Sequence, residues 1–297
     1  SNALVSAMPA VFVLIWSTGF IVARFGMPHS PPMKFLVIRY LLSVIAFAVW
    51  AVLARAAWPS GRAQWLHLGV TGVLMHAGYL GGVWSAVKAG MGAGLVALLV
   101  GLQPVLTGLW ISARGGAVSG RQWVGLGCGL GGLLLVVWQK LGLGEVHALS
   151  LGLALVALLS ITAGTLYQKH YLKPCDVRTA NLVQLAAAML VTLPLALLEP
   201  EAIRWTLPSG APNGEMIGAV AWSVLGLTLG GSSLLYLLIQ RGAATTVTSL
   251  MYLVPPTTAL MAWLLFNEPI TALTIGGVAL TALGVSLVVR TPSPQRA

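Results

Sequence analysis

Apolar residues run through the chain in long stretches that are separated by short polar segments. Each stretch is long enough to cross a hydrocarbon core of about 30 Å as a helix of about 20 residues. The stretches lack the alternation of apolar and polar residues that is typical of membrane barrel strands, so helices are expected. The pattern predicts ten membrane-spanning helices, at 6–24, 33–53, 64–86, 91–112, 121–139, 149–171, 177–198, 214–240, 244–266 and 270–290.

Composition supports this all-α integral membrane fold. The 297 residues are 58% hydrophobic and only 7% charged, and their mean hydropathy is +0.91. A chain with so little polar surface needs lipid as its solvent, so the lipid bilayer is an expected partner. Although the formal net charge is +10, the basic residues are scattered between the spans instead of forming one stripe, which argues against nucleic acid as a partner.

The placement of Lys and Arg predicts the orientation. With the N-terminus in the cytoplasm, most of the 16 Lys and Arg residues fall in or beside cytoplasmic loops, as the positive-inside rule requires. An even number of spans then places the C-terminus in the cytoplasm as well. The acids on the opposite side are Glu145, Glu199, Glu201, Glu215 and Glu268.

The chain contains an internal repeat. Gln103-Pro104 followed by Gly125 corresponds to Val254-Pro255 followed by Gly276, both at an offset of 151 (255 − 104 and 276 − 125). Because each repeat has an odd number of spans, the second copy enters the membrane from the opposite face, and the repeats are inverted. A substrate pathway is then expected where the repeats meet, near the bilayer midplane. The predicted units are a first five-helix repeat at 4–140, a second, inverted repeat at 147–290 and a disordered cytoplasmic tail at 291–297.

The third predicted span carries polar groups at mid-membrane depth. Gly69, Gly72, His76, Tyr79 and Val83 recur at helical spacing and share one stripe. An imidazole that faces lipid is costly, so this stripe should face protein or water. Two interpretations are open: His76 and Tyr79 hydrogen-bond substrate or pathway water, or they make satisfied contacts between helices.

Prolines interrupt the fourth and ninth spans at matched places. Pro104 follows Gln103 directly, and Pro255-Pro256 is preceded by Tyr252 and Thr248 one and two turns earlier. Each proline removes a backbone donor and frees a carbonyl upstream, and a free carbonyl near a polar side chain suits an ammonium or carboxylate ligand. These residues are candidate helix breaks and substrate contacts, although proline kinks are also ordinary packing features of membrane helices.

Further candidates carry two interpretations each. Trp16 lies deep in the first span and forms either the apolar wall of a cavity or plain core packing. Ser232 and Tyr236 in the eighth span either line the pathway or hydrogen-bond to neighbouring helices. Arg39 either holds a carboxylate or extends its charge outward to the interface. Trp84 is expected to be an interfacial anchor close to the outer surface.

Small residues in the fifth and tenth spans predict close helix packing. Gly125, Gly129, Gly276 and Gly284 belong to frames of small residues that let helix backbones approach. The two cysteines form no metal or redox motif, so neither a metal nor a cofactor is expected. The motifs of serine hydrolases and zinc proteases are absent, and no acid lies in mid-span, so no catalytic residues and no enzyme are expected.

Several short motifs occur in the order and spacing of one transporter family. They are Trp16-Ser17-Thr18-Gly19-Phe20, Pro31-Pro32 with Arg39-Tyr40, Ala93-Gly94-Leu95 with Gln103-Pro104, and Asn267-Glu268-Pro269 with Gly276 and Gly284. The set resembles the EamA-type transporters of the drug/metabolite transporter superfamily, and it looks most similar to bacterial amino-acid exporters of the YddG type. One departure is Arg114-Gly115-Gly116, which stands where the family usually has Gly-Glu.

The resemblance implies an alternating-access transporter of the bacterial inner membrane that exports a small-molecule substrate, either neutral amino acids or similar small metabolites. Relatives that exchange lipophilic cations for protons use an intramembrane Glu, whereas all six acids here fall in loops or at span ends. Only His76 is then left at mid-depth to couple protons. Two fused repeats already form a symmetric cavity, so a functional monomer is expected. A drug or nucleotide-sugar transporter of the same fold is the alternative, and an intramembrane enzyme is a distant one.

Overall fold

The computed structural model describes residues 2–115, 119–142, 144, 146–231, 234 and 253–289. Within these ranges the chain is helical, and one isolated β-bridge joins Thr206 and Pro212. The elements are α1 (Asn2–Gly26), α2 (Pro32–Leu53), α3 (Arg62–Gly72), the π-helix π1 (Val73–Gly78), α4 (Tyr79–Lys88), α5 (Ala93–Val100), α6 (Gln103–Ala113), α7 (Gly120–Gly142), α8 (Ala148–Tyr171), α9 (Val177–Leu198), α10 (Gly214–Trp222), the π-helix π2 (Ser223–Gly231), α11 (Val254–Phe266) and α12 (Ala272–Val289). The prediction of an all-α fold is confirmed for this part of the chain.

Many of these helices have the length and composition of membrane spans. Among the described residues, six helical segments are long and apolar enough to cross a bilayer: Pro32–Leu53, Ala93–Trp110, Gly120–Gly142, Ala148–Tyr171, Val177–Leu198 and Gly214–Gly231. Shorter apolar helices cover Ala10–Gly26, Val254–Phe266 and Ala272–Leu287. Large apolar side chains stay exposed along them, for example Leu134 on α7 and Leu197 on α9, and such a surface is stable in lipid. The chain is a multi-pass membrane protein.

Local sequence explains where several helices begin. Pro32 opens α2 and Pro255-Pro256 lies in the first turn of α11, where a missing N–H group and a fixed φ angle do no harm. At the start of α9, the Asp176 carboxylate accepts the backbone N–H of Arg178 at 2.9 Å. Such a cap satisfies one of the N–H groups that a helix start leaves without a partner.

Helices at corresponding places in the two halves of the chain pack against each other. α2 contacts α9, α5 contacts α11, and α7 contacts α12. The approach of α7 and α12 is very close, because a β-carbon on Gly277 would lie 2.7 Å from the backbone oxygen of Gly132. Most of the buried apolar residues form one large cluster with members from both halves, and Leu68, Ala180 and Val183 form a separate small one. The core therefore follows the seam between the halves.

Glutamates gather at one end of the bundle, which we call the glutamate end. Glu199 accepts two backbone N–H groups in the first turn of α2, both at 2.9 Å. Glu268 accepts two at the start of α5, at 2.9 and 3.4 Å. Glu201 lies 3.0 Å from the Lys88 ammonium. Since a negative charge stabilises a helix N-terminus, Glu199 and Glu268 fix first-half helices from loops of the second half.

Candidate functional site

The helical segment that carries His76 is continuous from Arg62 to Lys88 but changes its winding in the middle. Residues Val73–Gly78 form the π-helix π1, and π turns inside helices occur frequently at functional sites. Before this turn Gly72 lies against the backbone of Gln184 in α9, and at its end Gly78 lies against Ser160 in α8. The region around His76 is therefore wedged between two helices of the second half.

Half-buried His76 belongs to a group of polar side chains that we call the central cluster: Arg39, Tyr40, His76, Tyr79 and Gln184. The backbone carbonyl of His76 accepts the Tyr40 hydroxyl at 2.9 Å, and the two rings meet edge to face with their centroids 6.3 Å apart. The side chain of Gln184 in α9 lies close to the imidazole. Tyr79 is buried and, like Tyr40, lies close enough to Arg39 to interact with it electrostatically.

Arg39 is held inside the protein. Arg39 is 6% exposed, and its Nε donates to the hydroxyl of Thr228 in π2 at 3.3 Å. The guanidinium lies over the ring of Trp84, 5.3 Å from the centroid. Trp84 itself is 1% exposed, so the prediction of an interfacial anchor is wrong. The indole instead supports a buried cation by a cation–π contact.

Gln103 links the two halves on the other side of the seam. α5 ends at Val100 and α6 begins at Gln103, so the fourth predicted span is interrupted directly before Pro104. Nε2 of Gln103 donates to the hydroxyl of Thr165 in α8 at 2.8 Å. Pro255 lies in the first turn of α11 and faces this interruption. The amide of Gln103 thus has a protein partner in this conformation, and the interruption before Pro104 lies against the first turn of α11.

The remaining candidates fall in different places. Trp16 is half-buried in α1, where it packs against the core and against Phe12, with ring centroids 5.5 Å apart. Pro256 follows Pro255 in α11 and is partly buried. Four candidates lie outside the residues that the structure describes: Ser232, Tyr236, Thr248 and Tyr252.

The predicted packing glycines do not all behave alike. A β-carbon on Gly284 of α12 would collide with the backbones of Gly125 and Gly129 in α7. At Gly276, by contrast, it would meet nothing within 4 Å, whereas Gly277 faces Gly132. Gly277, and not the predicted Gly276, therefore makes the close contact with α7. The side of α12 that faces α7 lies one residue further along the chain than the repeat predicted.

Several residues of this region were not predicted from the sequence. Tyr40 and Ser43 share α2 with Arg39, and Ser43 follows Arg39 by one helical turn, a spacing that sequence inspection can find. Gln184 and Thr228 come from distant helices, and only the fold brings them to His76 and Arg39.

A multi-pass helical protein with polar groups buried where its two halves meet has the architecture of a membrane transporter. The chain belongs to the EamA-like transporter family, which matches residues 5–138 and again residues 148–290. The family and the described geometry agree on a protein that moves solutes across a membrane.

Individual relatives are distant but cover most of the chain. An "Uncharacterized transporter YvbV" of Bacillus subtilis is 23% identical over 97% of this chain and 92% of its own length. A "Probable amino-acid metabolite efflux pump" of Salmonella typhimurium is 24% identical over 92% of this chain and 90% of its own. Its namesake in Escherichia coli is 27% identical, over 53% and 50%. A solved crystal structure superposes with a TM-score of 0.64 over 95% of both chains at 16% identity, which shows a shared fold.

Proposed function

We propose that this protein is an alternating-access transporter of the bacterial inner membrane that exports neutral amino acids or similar small metabolites. In this proposal ten spans form two inverted repeats, at 4–140 and 147–290, with both termini in the cytoplasm. The chain works as a monomer, because both repeats of the cavity are contained in it. The names of the Salmonella and Escherichia relatives support the substrate class.

The observation that carries the proposal is the central cluster. Its polar side chains come from α2, π1 and the start of α4 in the first half and from α9 in the second, away from both ends of the bundle. Polar groups inside a membrane protein are costly and commonly mark a solute pathway. A rocking motion of one half against the other separates Gln184 from His76 and Thr165 from Gln103, which exposes their hydrogen-bonding groups to solute.

The pathway proposed from these positions contains Trp16, Arg39, His76, Tyr79 and Gln103. Ser232, Tyr236, Thr248 and Tyr252 complete it by their places in the sequence. Pro104, Pro255 and Pro256 mark the interruptions at which the helices bend. The groups at mid-depth are uncharged apart from Arg39, and a zwitterion offers both a carboxylate and an ammonium to such a lining.

Transport by purified protein in proteoliposomes tests this function. Vesicles are loaded with each of the twenty labelled amino acids, and efflux is compared with protein-free vesicles at two pH gradients. We expect saturable efflux of several neutral amino acids that leaves them chemically unchanged. The absence of protein-dependent efflux for all twenty contradicts the proposal.

Alanine variants test the pathway within the same assay. His76→Ala, Tyr79→Ala and Gln103→Ala should each lower efflux about tenfold or more while the protein elutes as one monodisperse species, because each removes a hydrogen-bonding group from the path. His170→Ala is the matched control, since His170 is exposed at the end of α8. Aggregation of the three variants would instead indicate that these residues serve only packing.

A further inference from the structure

Arg39 and three other buried side chains carry hydrogen-bonding atoms that have no partner among the described residues. They are Nη1 of Arg39, Oγ of Ser43, Nε1 of Trp84 and Oγ of Ser223. The residues are 6%, 0%, 1% and 0% exposed, respectively, so water does not replace the missing partners at the surface. A buried donor that stays unpaired is costly, and more so when it is charged.

Contacts of Arg39 connect these four residues. Trp84 lies under it at 5.3 Å, and Ser43 follows Arg39 by one turn of α2. Nε of Arg39 bonds to Thr228, whose hydroxyl donates to the backbone carbonyl of Ser223 at 2.8 Å. α2 and α4 supply Arg39, Ser43 and Trp84 from the first half, and π2 supplies Ser223 from the second. The group therefore forms where the halves meet.

The chemistry of the group is that of an anion site. Guanidinium and indole only donate hydrogen bonds, and serine hydroxyls can donate as well. The described acids have other partners: Glu199 and Glu268 cap helices, Glu201 faces Lys88, Glu215 faces His29, and Asp176 faces Arg178. Within the described residues Arg39 is thus a buried cation without a carboxylate, an expensive arrangement in a membrane protein.

We propose that this group, which we call the Arg39 pocket, binds the carboxylate of the transported solute. The proposal rests on the transport function above and narrows its substrate class to molecules with a free carboxylate. Nη1 of Arg39 donates a charge-assisted hydrogen bond to one carboxylate oxygen, in the plane of the carboxylate. Trp84 Nε1 and the two serine hydroxyls donate to its remaining lone pairs. Because α2 and π2 belong to different halves, the pocket opens when they separate and closes on the bound group.

Paired ligands that differ only at the carboxylate test the pocket. Binding of L-leucine, L-threonine and L-phenylalanine to purified protein is compared with binding of the three corresponding amides. The wild-type protein should bind each acid at least about tenfold more tightly than its amide, as expected for loss of a charged hydrogen-bonded contact. Arg39→Gln should bind acid and amide equally. If Arg39 has a purely structural role, Arg39→Gln should bind acid and amide less tightly by the same factor.

Three further variants make the test independent of folding defects in Arg39→Gln. Arg39→Lys keeps the charge but loses the planar guanidinium, and Ser223→Ala keeps the cation but removes one hydroxyl. Both variants should reduce the preference for the acid over its amide severalfold. Arg114→Gln is the matched control, because Arg114 also stacks on a tryptophan, Trp110, at 4.5 Å but is exposed. It should keep the wild-type preference.

Two additional probes separate the pocket from the proposed transport function. 4-Methylpentanoate has a carboxylate without an amine, and inorganic phosphate is an anion of another class. If the wild type exports no amino acid yet binds 4-methylpentanoate in an Arg39-dependent way, the transport proposal fails and the pocket is supported. Equal preference for acid in wild type and Arg39→Gln overturns the pocket, as does Arg39-dependent binding of phosphate alone. Absence of any anion binding also overturns it.

Discussion

Gly101 faces Pro255 so closely that a β-carbon on Gly101 would lie 2.7 Å from Cγ of the proline ring. Gly101 follows the last residue of α5, and Pro255 belongs to the first turn of α11. The interruption between α5 and α6 thus lies against the first turn of α11. The φ angle of Gly101 is −59°, which any residue can adopt. Glycine is therefore needed here for space and not for backbone conformation.

Substitution Gly101→Ala should therefore lower stability through overpacking. The expected cost is about 1–3 kcal/mol, because the prolyl ring is rigid and cannot move aside as a flexible side chain would. The thermal unfolding midpoint in detergent measures it. Gly127→Ala is the control, since a β-carbon on Gly127 of α7 meets no described atom within 4 Å. That change should be neutral or stabilising by up to about 1 kcal/mol, and equal shifts for both variants would contradict the argument.

A second prediction compares two glycines of α12, of which one contacts α7 and the other does not. Gly284→Ala should destabilise the protein by about 1–3 kcal/mol, because its β-carbon would push the helix backbones apart. Gly276→Ala on the same helix should not, because it points into open space. Chemical or thermal unfolding of the two variants side by side decides the matter. A larger loss for Gly276→Ala would mean that α12 is rotated relative to the described contact.

The cap on α5 makes a third prediction. Glu268→Ala should cost about 0.5–2 kcal/mol, the usual range for loss of a helix cap, because the backbone N–H of Ala93 loses its carboxylate partner at 2.9 Å. Glu201→Ala removes an exposed carboxylate from the same end of the bundle and should have little effect. Unfolding midpoints of the two variants are compared. A similar small effect of both changes would show that the Glu268 cap does not stabilise the protein.

Asp176 predicts a dependence of stability on pH. The hydrogen bond from the Arg178 side chain holds the pKa of this carboxyl below its ordinary value of 3.8, and the backbone N–H of Arg178 acts in the same direction. A carboxyl whose pKa is lower in the folded state contributes stability above its unfolded pKa. That contribution is lost as the pH falls from about 3.8 through the folded pKa.

Substitution Asp176→Asn isolates this effect, because Asn can still cap α9 but carries no charge. The variant should unfold at a lower temperature than wild type at pH 7, and the two midpoints should converge below pH 3.8. Arg178→Gln should reproduce the loss at pH 7, since it removes the cause of the shift. A difference that stays constant down to pH 3 would show that the charge of Asp176 does not stabilise the fold.

The sequence predicts helical segments well here because membrane helices are dictated by local apolar length. It also places His76 and Tyr79 in the interior, since a buried polar group in an apolar run has few alternatives. The register around His76 was not predictable, because the π turn at Val73–Gly78 shifts every later residue relative to regular α-helical spacing.

Contacts between distant residues account for the other differences. The hydrogen bond between Arg39 and Thr228 joins residues that are 189 positions apart, and the local sequence around either residue does not predict it. Distance to a helix end does not reveal the burial of Trp84, because Phe35 and Arg39 of α2 pack against its indole. The choice between Gly276 and Gly277 depends on helix rotation, which a repeat offset cannot fix to one residue.

The caps at the glutamate end also have a consequence for biosynthesis. Glu199 is 166 positions after Met33, the residue whose N–H it accepts, and Glu268 is 175 positions after Ala93. At roughly 5–20 residues per second, a ribosome needs about 8–35 s after synthesis of the helix start to reach each glutamate. During that interval the newly made first half waits in the bilayer with two helix starts uncapped. Its completion depends on the second half being translated, so separate production of the first half should yield a protein that is readily degraded.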